Sequence, residues 1–544
     1  MVHAVLSVRT VEMKERTMGK VAHQIARSVD QAAVLAFMEQ ANSYPGAIDT
    51  VDRIDTHGAV VFLAGDKAYK IRRAVKYPYL DYSTLKRRGD FSQQEVDLNR
   101  RTAPNLYIGV LPVTLEPGNQ FKLDGNGKTV EWVVVMRRFE QNALFDHMLE
   151  RDALSSELVA NLGDEIRSFH DAAEVVTTLP PASGGGADGI RWVVEEGLDE
   201  FRQASDHFSA EAVARLAGLS QTALGQLTSL LDQRMKQGRV RKCHGDLHLR
   251  NICLFEGRPT LFDAIEFDPR LSEVDVLYDI AFLIMDLDRY DRRDLANQVL
   301  NRYFGDGVDL EALAALPLFL SARAGIRAKV AVTAEASQDD DAHRQALRND
   351  AQAYFKAAVA YLEAGRSSLI AIGGLSGSGK TTVARGLAPS IGRSPGALIA
   401  RSDVIRKQHH GVSETARLPA STYTRQESEA VYAEMMKRAS RALEAGQSVI
   451  LDAVFAHPEE RNAAKSLAAD QGVEFLGIWL DVPADTMKSR IEARHGDASD
   501  ATAAVLERQI HFQLGPLDWH RIDADGASDA VIATTKSVAT RQLG

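Results

Sequence analysis

The sequence is poor in the features that mark secreted, membrane-spanning or zinc-binding proteins. Its 544 residues include only two cysteines, Cys243 and Cys253, too few for a disulfide framework and without further Cys or His ligands at zinc spacing. We interpret both as buried, small apolar residues and assign no structural metal. No apolar run reaches the roughly 18 residues that a membrane helix requires. We therefore predict a soluble protein of a reducing compartment, the cytoplasm, with no membrane partner.

Positive charge and targeting signals are scarce as well. The chain has 64 Lys and Arg against 74 Asp and Glu, which argues against broad electrostatic binding to nucleic acid or anionic membranes. The amino-terminal apolar stretch is short, is interrupted by His3 and Arg9, and precedes no small-residue cleavage site. We predict no signal peptide there, and Met1 and Met18 are both candidate starts.

The chain is long enough for about three lobes or domains, and its pattern changes near residue 366. Short β-like segments begin near Val51, and helical spacing dominates after about Phe145. From Ser367, apolar runs alternate with helix-like segments, which predicts a parallel α/β sheet. We expect an amino-terminal extension (1–29), an α+β lobe (30–142), a helical lobe (143–365) and an α/β domain (366–544).

Local signals in the α+β lobe predict three elements. AVVFLAG and KAYKIRRAV, joined at Gly65-Asp66, read as a hairpin. A helix is expected to start at Ser92, because Glu95 follows at the spacing of a capping box. EWVVVMRRF reads as the next strand.

The strongest motif is the segment from Gly374 to Thr381, which satisfies G-x-x-x-x-G-K-[ST] between an apolar strand and a helix. Backbone N–H groups at such a helix amino terminus cradle phosphates, the lysine reaches the outer phosphates, and the threonine ligates magnesium. We therefore predict ATP and Mg²⁺ binding. The expected nucleotide-binding residues are Gly374, Ser376, Gly377, Ser378, Gly379, Lys380, Thr381 and Thr382.

Further charged residues of the α/β domain are candidates for chemistry. Asp452 ends an apolar strand and suits a magnesium or water partner, whereas Asp403 suits a general base and is spaced D-x-x-R with Arg406. Either aspartate could instead be a helix cap. Arg490 and Arg494, at i and i+4, form either an arginine lid over the phosphates or a solvated charged helix.

This constellation, over roughly residues 367–525, resembles the P-loop kinases of small metabolites and of polynucleotide 5′-hydroxyls, including gluconate kinase, zeta toxins and polynucleotide kinase. The resemblance implies that Asp403 activates an acceptor hydroxyl and that Arg490 and Arg494 contact phosphates. The D-x-x-R spacing is most similar to polynucleotide kinase, in which the arginine corresponding to Arg406 grips a substrate phosphate.

A second constellation lies in the helical lobe, where HGDLHLRN places Asp246 and Asn251 on a loop, and Asp263 follows twelve residues later on a predicted hairpin. In the pattern H-x-D-x-x-x-x-N plus aspartate, the first aspartate positions or deprotonates an acceptor hydroxyl, while the other two residues hold magnesium. His248 is expected to order the loop and not to act as a base.

This string, over roughly residues 30–360, resembles the aminoglycoside phosphotransferase and choline kinase family, whose fold is the bilobal protein-kinase-like one. The resemblance implies that Lys70 pairs with ATP phosphates, that Glu95 is its helix partner, and that Asp279 in YDIAFL supports the loop.

The same resemblance makes backbone near Met136 to Arg138 the hinge that meets adenine. Lys67 and Lys76 compete with Lys70 for the role of strand lysine, and no G-x-G-x-x-G precedes this strand.

The sequence thus predicts a bifunctional kinase that moves the γ-phosphoryl group of ATP to hydroxyl acceptors at two sites. The acceptor is a small molecule at one site and either a small polyol or a nucleic-acid end at the P-loop site. The alternative is a regulatory or toxin-like protein in which one module is a nucleotide-binding switch. A noncatalytic scaffold is disfavoured because both residue sets are complete, and no oligomeric state is predicted.

Overall fold

The computed structural model describes residues 31–56, 58–77, 80–177, 185–336, 338–363, 365–493 and 498–543. They form two compact units. One holds the described residues up to Asp286 together with Leu318–Leu362, and the other holds Leu287–Pro317 together with the described residues from Glu363 onward. Within the described ranges, no helix is long and apolar enough to cross a membrane.

The first unit begins with an antiparallel sheet whose strands are ordered β1-β2-β3-β8-β6-β7. The predicted hairpin forms β2 and β3, and the predicted strand EWVVVMRRF forms the second half of β8, which pairs with β3. A buried apolar cluster that includes Val60, Phe62, Ile71 and Val133 fills one face of the sheet. The strand bounds are β1 Val51–Asp55, β2 Ala59–Ala64, β3 Lys67–Arg72, β4 Lys76–Tyr77, β5 Leu80–Asp81, β6 Tyr107–Glu116, β7 Gln120–Leu123 and β8 Lys128–Arg137.

The helix that carries Glu95 starts earlier than predicted. It spans Leu85–Asn99, and Thr84 caps it by accepting a hydrogen bond from the N–H of Arg87. Ser92, the predicted cap, lies inside this helix and is fully buried. The prediction was wrong because the spacing of a capping box also occurs by chance within a helix, and only the backbone at Thr84 is extended.

Helices make up most of the rest of the first unit. A helical pair of 18 and 27 residues precedes the loop that carries Asp246 in the chain, and two long helices follow it later. The helices of this unit, some of which run into the neighbouring segment, are α1 Gln31–Met38, α2 Leu85–Asn99, α3 Phe145–Glu150, α4 Ser156–Ala172, α5 Gly186–Gln203, α6 Ala210–Lys236, α7 Pro269–Ser272, α8 Val276–Arg289, α10 Leu316–Ala336 and α11 Asp341–Leu362, with α9 (Arg293–Tyr303) in the other unit.

The predicted loop and hairpin around HGDLHLRN are present. Strand β9 (Val240–Lys242) leads into the loop, a turn of 3₁₀ helix covers Leu249–Asn251, and β10 (Ile252–Phe255) pairs with β11 (Arg258–Leu261). Strand β12 (Glu273–Asp275) then pairs with β9, so the loop is held between two short strand pairs.

The second unit is an α/β domain with a parallel sheet ordered β14-β15-β13-β16-β17. The four predicted strands correspond to β13 to β16, and β17 extends one edge. The central strand, β13, is buried along its whole length, as the apolar run SLIAIG requires for a strand covered on both faces. The bounds are β13 Ser368–Gly373, β14 Leu398–Arg401, β15 Val449–Asp452, β16 Glu474–Asp481 and β17 His520–Asp523.

Helices flank this sheet, and one of them comes from the segment Leu287–Pro317. Asn301 of α9 pairs with the edge strand β14: its amide oxygen accepts from the N–H of Ile399 at 2.6 Å and its amide nitrogen donates to the carbonyl of Ala397 at 3.1 Å. The Asn301 side chain therefore makes hydrogen bonds with backbone groups of an edge strand that would otherwise lack a partner on that side. The remaining helices are α12 Lys380–Leu387, α13 Ser402–His409, α14 Arg425–Glu444, α15 Pro458–Asp470, α16 Ala484–Glu492, α17 Ala503–Ile510 and α18 Ser528–Leu543.

Candidate active sites

The first site is built around Lys70, which lies in the middle of β3. Its Nζ lies 2.8 Å from Oε1 of Glu95 on α2 and 2.7 Å from Oδ1 of Asp263, just after β11. Two residues that are 25 and 193 positions from Lys70 in the chain are thus brought to its ammonium group. The charges of Asp263 and Glu95 outweigh burial and raise the pKa of Lys70, so its ammonium is held charged. Among the described residues, the cations that pair with Glu95 are Lys70 and Arg72, and neither of the competing lysines, Lys67 and Lys76, does so.

A second layer of charge supports this contact and was not predicted from the sequence. Arg72, two residues along β3, donates to Oε2 of Glu95 at 2.5 Å and lies 2.7 Å from Glu266. Tyr82 donates to the same Glu266 at 3.0 Å. Burial, together with the other nearby carboxylates, raises the pKa of Glu266 despite its pairing with Arg72. The sequence could have indicated that Arg72 points to the same side of β3 as Lys70, because residues two apart in a strand share a face.

The loop after β9 presents Asp246 in a buried position. The side-chain amide of Asn251 donates to Oδ2 of Asp246 at 3.0 Å and to its backbone carbonyl at 2.9 Å. Nε2 of His248 lies 3.3 Å from Oδ2, and its Nδ1 accepts from the N–H of Arg250. Burial alone would raise the pKa of Asp246, but the neighbouring His248 outweighs burial and lowers it. Oδ1 of Asp246 has no hydrogen-bond partner among the described residues, so one oxygen of an ionised carboxylate is free to accept.

Asp279, predicted to support the loop, lies beneath it at the start of α8. Its carboxylate accepts from the backbone N–H groups of His244 at 3.0 Å and Gly245 at 2.8 Å, and it lies 3.1 Å from Nε2 of His170. Burial opposes ionisation, but the hydrogen bond and charge of His170, together with the charges of His244 and Arg323, outweigh burial and lower the pKa of Asp279 to about 2. Arg323 of α10 holds the loop from the other side by donating to the carbonyl of Gly245 at 3.0 Å. These contacts fix the backbone that carries Asp246.

The predicted hinge lies at the end of β8. Met136 packs against an apolar cluster with partly buried aromatic rings, including Phe139, Phe255 and Phe262. The rings of Phe139 and Phe262 meet edge to face at 5.3 Å. Arg138 is engaged elsewhere, since its N–H donates to the carbonyl of Asp66 and its guanidinium lies 3.3 Å from Asp52. The cluster is an apolar surface of the kind that flat aromatic ligands occupy.

The second site is the loop from Gly374 to Thr381, between β13 and α12. Gly377 and Gly379 adopt φ of 85° and 91°, which an L side chain rarely tolerates. A methyl group on Gly377 would also lie 2.5 Å from the carbonyl oxygen of Met487. Ser378 is buried, and its Oγ has no hydrogen-bond partner among the described residues. Positive φ at these glycines is the conformation that lets the N–H groups of such a loop and of the following helix start converge on a phosphate.

Lys380 and Ser376 of this loop are held by partners that sequence spacing does not reveal. Nζ of Lys380 donates to the carbonyl of Leu375 at 3.0 Å. The N–H of Ser376 donates to the side-chain oxygen of Gln509, on α17, at 2.8 Å. Thr382 is exposed at the third residue of α12. Gln509 thus joins a distant helix to the phosphate loop.

Thr381, in the first turn of α12, meets Asp452 at the carboxyl end of β15. The hydroxyl of Thr381 donates to Oδ2 of Asp452 at 2.6 Å, and Arg401, unpredicted from the sequence, lies 3.3 Å from the same oxygen. A hydroxyl and a carboxylate at this distance are the hard oxygen donors that Mg²⁺ prefers, so the pair fits a magnesium ion. In the first site, Asp263 and Asn251 offer the same class of donor.

Asp403 and Arg406 lie on the first two turns of α13, which follows β14. Burial raises the pKa of Asp403, and the charge of Asp452 adds to the effect. Arg406 is buried over the ring of Tyr423, with its guanidinium carbon 4.8 Å from the ring centroid. Its guanidinium donates two long, weak hydrogen bonds, to the carbonyl of Thr422 at 3.5 Å and to Ser428 at 3.4 Å, and its Nε has no hydrogen-bond partner among the described residues.

Arg490 lies on α16 beside the phosphate loop. A methyl group built on Gly379 would be 3.9 Å from its Nη1, and its Nη2 donates to the carbonyl of Ala524 at 3.0 Å. Arg494, predicted to share this face, lies outside the described residues.

Comparisons with known proteins cover nearly the whole chain. An uncharacterised protein of Mycobacterium tuberculosis is 31% identical over 484 residues, which cover 88% of this chain and 93% of the relative. Its counterpart in Mycobacterium bovis matches to the same extent. The chain belongs to the same family as these mycobacterial proteins. A model of the AAA domain matches residues 369–514, within the unit that carries the phosphate loop.

Solved structures with kinase folds match each part of the chain. A choline/ethanolamine kinase family protein from Mesorhizobium loti is 15% identical, covering 61% of this chain and 98% of its own, with a TM-score of 0.37. A gluconokinase from Sinorhizobium meliloti is 16% identical, covering 32% and 93%, with a TM-score of 0.25. An APS kinase of Mycobacterium tuberculosis is 20% identical, covering 32% and 98%, with a TM-score of 0.24.

The sheet orders, the lysine–glutamate pair and the phosphate loop together confirm the predicted fold class. The chain has a bilobal, kinase-like α+β domain followed by an α/β P-loop domain with a parallel sheet.

Proposed function

We propose that the protein is a bifunctional, ATP-dependent phosphotransferase with one site around Asp246 and another around Asp403. The observation that carries the proposal is the convergence of Lys70, Glu95 and Asp263 within 2.8 Å, next to a catalytic loop whose aspartate keeps one oxygen free. A structural ion pair would not require that third partner or that free oxygen. The buried free cysteines support the cytoplasm as its compartment.

At the first site, Lys70 orients the phosphates of ATP, and Asp246 accepts a hydrogen bond from the acceptor hydroxyl. The hydroxyl oxygen forms a bond to the γ-phosphorus, and the bond from that phosphorus to the bridging oxygen of ADP breaks. The hydroxyl proton passes to Asp246, whose lowered pKa makes it ionised before the reaction. Asn251 and Asp263 would hold Mg²⁺, which when bound neutralises charge on the phosphates.

At the second site, the loop from Gly374 to Thr381 holds the phosphates, and Lys380 turns from the carbonyl of Leu375 to reach them. Asp403 takes the proton of the acceptor hydroxyl, and its raised pKa suits it to accept a proton near neutral pH better than an ordinary aspartate. Arg490, next to Gly379, would stabilise the charge that develops on the transferred group. Thr381 and Asp452 would hold Mg²⁺.

The acceptors differ between the sites. We infer a small hydroxyl compound at the first site and either a small polyol or a polynucleotide 5′-hydroxyl at the second. Arg406 favours an acceptor with a phosphate, because a buried guanidinium with weak contacts has donors to spare. The net charge of −10 favours a small molecule, since long nucleic acids would be repelled.

The test incubates the full chain with γ-labelled ATP, Mg²⁺ and a panel of acceptors: hydroxy acids, small sugars, aminoglycosides, nucleosides, and 5′-hydroxyl RNA and DNA. Asp246→Asn and Asp403→Asn should each abolish a different labelled product. Asp97→Asn, which changes an exposed carboxylate on α2, is the matched control and should change neither.

If both variants lose the same product equally, the two-site proposal fails in favour of one coupled enzyme. If Asp403→Asn leaves every product unchanged while Lys380→Ala abolishes nucleotide binding to the P-loop unit, that unit is a nucleotide-binding switch and not a second enzyme.

A further inference from the structure

A second buried acidic residue lies beside the catalytic loop of the first site. Asp286, on α8, is only 3% exposed, and its Oδ2 accepts a hydrogen bond from the N–H of Leu249 at 3.1 Å. Leu249 follows Asp246 by three residues on the same loop. Oδ1 of Asp286 is buried and has no hydrogen-bond partner among the residues that the structure describes. Two carboxylates at this loop, Asp246 and Asp286, therefore each keep an oxygen that accepts no hydrogen bond from the described residues.

A cation lies on the helix that packs over this loop. Arg327, on α10, has its guanidinium carbon 5.5 Å from the ring centroid of Tyr354, to which it is also hydrogen-bonded, and its Nε is buried without a hydrogen-bond partner in the described part of the chain. One turn earlier on α10, Arg323 donates to the carbonyl of Gly245 and lies over the ring of Phe282, which is one turn before Asp286 on α8. Because residues four apart share a helix face, Arg327 and Asp286 lie on the facing sides of these two helices, beside the catalytic loop. In agreement with this placement, Tyr354, Asp286 and Asp246 together outweigh burial and raise the pKa of Arg327.

The arrangement differs from the closed ion pairs of the same unit. Arg234 of α6, also buried, engages both oxygens of Asp275 at 2.7 Å. Within the described ranges, by contrast, no contact of 4.0 Å or less joins Arg327 to Asp286. A buried polar group left without a partner costs about 1–3 kcal/mol, so a role in packing alone would favour the closed geometry. Opposite charges held near each other but apart are suited to a ligand that contacts both.

We propose that Arg327 and Asp286 form the acceptor subsite of the Asp246 site and select a small hydroxyl compound with an anionic group. The inference rests on the proposed function of this site. Arg327 binds the carboxylate or phosphate of the acceptor, because its planar donors match those oxygens. Asp286 accepts from a neighbouring hydroxyl or ammonium of the same molecule. A polycationic acceptor, such as an aminoglycoside, is rejected by the buried guanidinium.

The experiment compares five probes with the full chain, γ-labelled ATP and Mg²⁺: serine, glycerate, glucose 6-phosphate, glucose and kanamycin. We expect label on at least one of the three anionic or zwitterionic probes and none on kanamycin. Arg327→Ala should raise KM for that acceptor by about 10- to 100-fold, the range for a lost charged hydrogen bond, while kcat changes much less. Arg327→Lys should recover part of the loss, and Asp286→Asn should also raise KM.

The matched control is Arg348→Ala. Arg348, an exposed residue on α11, pairs with Glu335 at 2.8 Å, and its replacement should leave KM unchanged. Because Arg327→Ala leaves space beside Tyr354, Arg327→Met keeps the side-chain volume and should show the same rise in KM. Thermal unfolding of each variant separates a folding defect from a change in KM.

Different results overturn the subsite and the proposed function. If glucose or kanamycin is the labelled acceptor in an Asp246-dependent reaction, or if Arg327→Ala leaves KM for an anionic acceptor unchanged, the subsite is wrong and the phosphotransferase stands. If no probe is labelled, the three anionic or zwitterionic probes are titrated calorimetrically into the chain with a nonhydrolysable ATP analogue. Binding that Arg327→Met abolishes supports the subsite, and the absence of binding overturns it.

Discussion

Replacing Glu95 by glutamine tests the charge cluster on which the first site depends. Glu95 is fully buried, and its two oxygens accept from Lys70 at 2.8 Å and from Arg72 at 2.5 Å. Glutamine keeps one oxygen, so one of these charged hydrogen bonds is lost. Two carboxylates, Glu266 and Asp263, still lie 2.7 Å from the two cations, so neither cation is left without a counter-charge.

The expected loss of stability is therefore that of one charged hydrogen bond, about 2 kcal/mol, and not the about 3–5 kcal/mol of an uncompensated buried charge. The variant should also lose activity, beyond the effect of its lower stability. With Lys70 drawn towards Asp263 alone, the ATP phosphates lose their alignment, and we expect kcat of the Asp246-dependent reaction to fall by about 10- to 100-fold.

Urea denaturation and steady-state kinetics of the full chain measure both effects. Asp97→Asn removes an exposed carboxylate from the same helix and should change the free energy of unfolding by less than about 0.5 kcal/mol. The reasoning is refuted if Glu95→Gln matches Asp97→Asn in stability and turnover. It is refuted as well if the Asp403-dependent reaction falls in parallel, because that site shares none of these contacts.

Further predictions concern pH and the phosphate loop. Burial beside a second carboxylate raises the pKa of Asp403, whereas a neighbouring histidine outweighs burial and lowers the pKa of Asp246. Each reaction requires its carboxylate ionised and is lost as pH falls through that pKa, so pH–rate profiles should place the acid limb of the Asp403-dependent reaction at the higher pH; the reverse order would contradict the assignment. Gly377→Ala, which meets the Met487 carbonyl at 2.5 Å, should weaken nucleotide binding by the P-loop unit by at least about 100-fold in a fluorescent-nucleotide titration. Gly526→Ala, with no neighbour within 4 Å of the added methyl group, is the control and should bind normally.

Most regular elements could be predicted from local pattern. The hairpin of β2 and β3 and the strands β13 to β16 follow from apolar runs and turn residues, because those signals lie within the elements themselves. The start of α2 could not be read in this way. Thr84 and Ser92 are both acceptable caps in isolation, and only the backbone conformation in the folded chain distinguishes them.

The sequence also did not show that the segment Leu287–Pro317 belongs to the second unit. Its helical pattern resembles that of the elements before and after it, and nothing in its composition indicates which unit it contacts. The amide of Asn301 joins this segment to β14, about one hundred residues away in the chain. No local sequence pattern predicts a contact between residues so far apart.

By itself, the sequence determined the two motifs and the chemistry they imply. Asp246 and Asn251, or Gly374 and Lys380, are a few residues apart, and a short loop brings such residues together almost regardless of the surrounding fold. The tertiary structure alone decided the supporting partners: Arg72 and Glu266 beside Glu95, Gln509 at the phosphate loop, and Asp286 beside the catalytic loop. These side chains come from separate helices and strands, so their meeting depends on how the elements pack, which residue spacing does not encode.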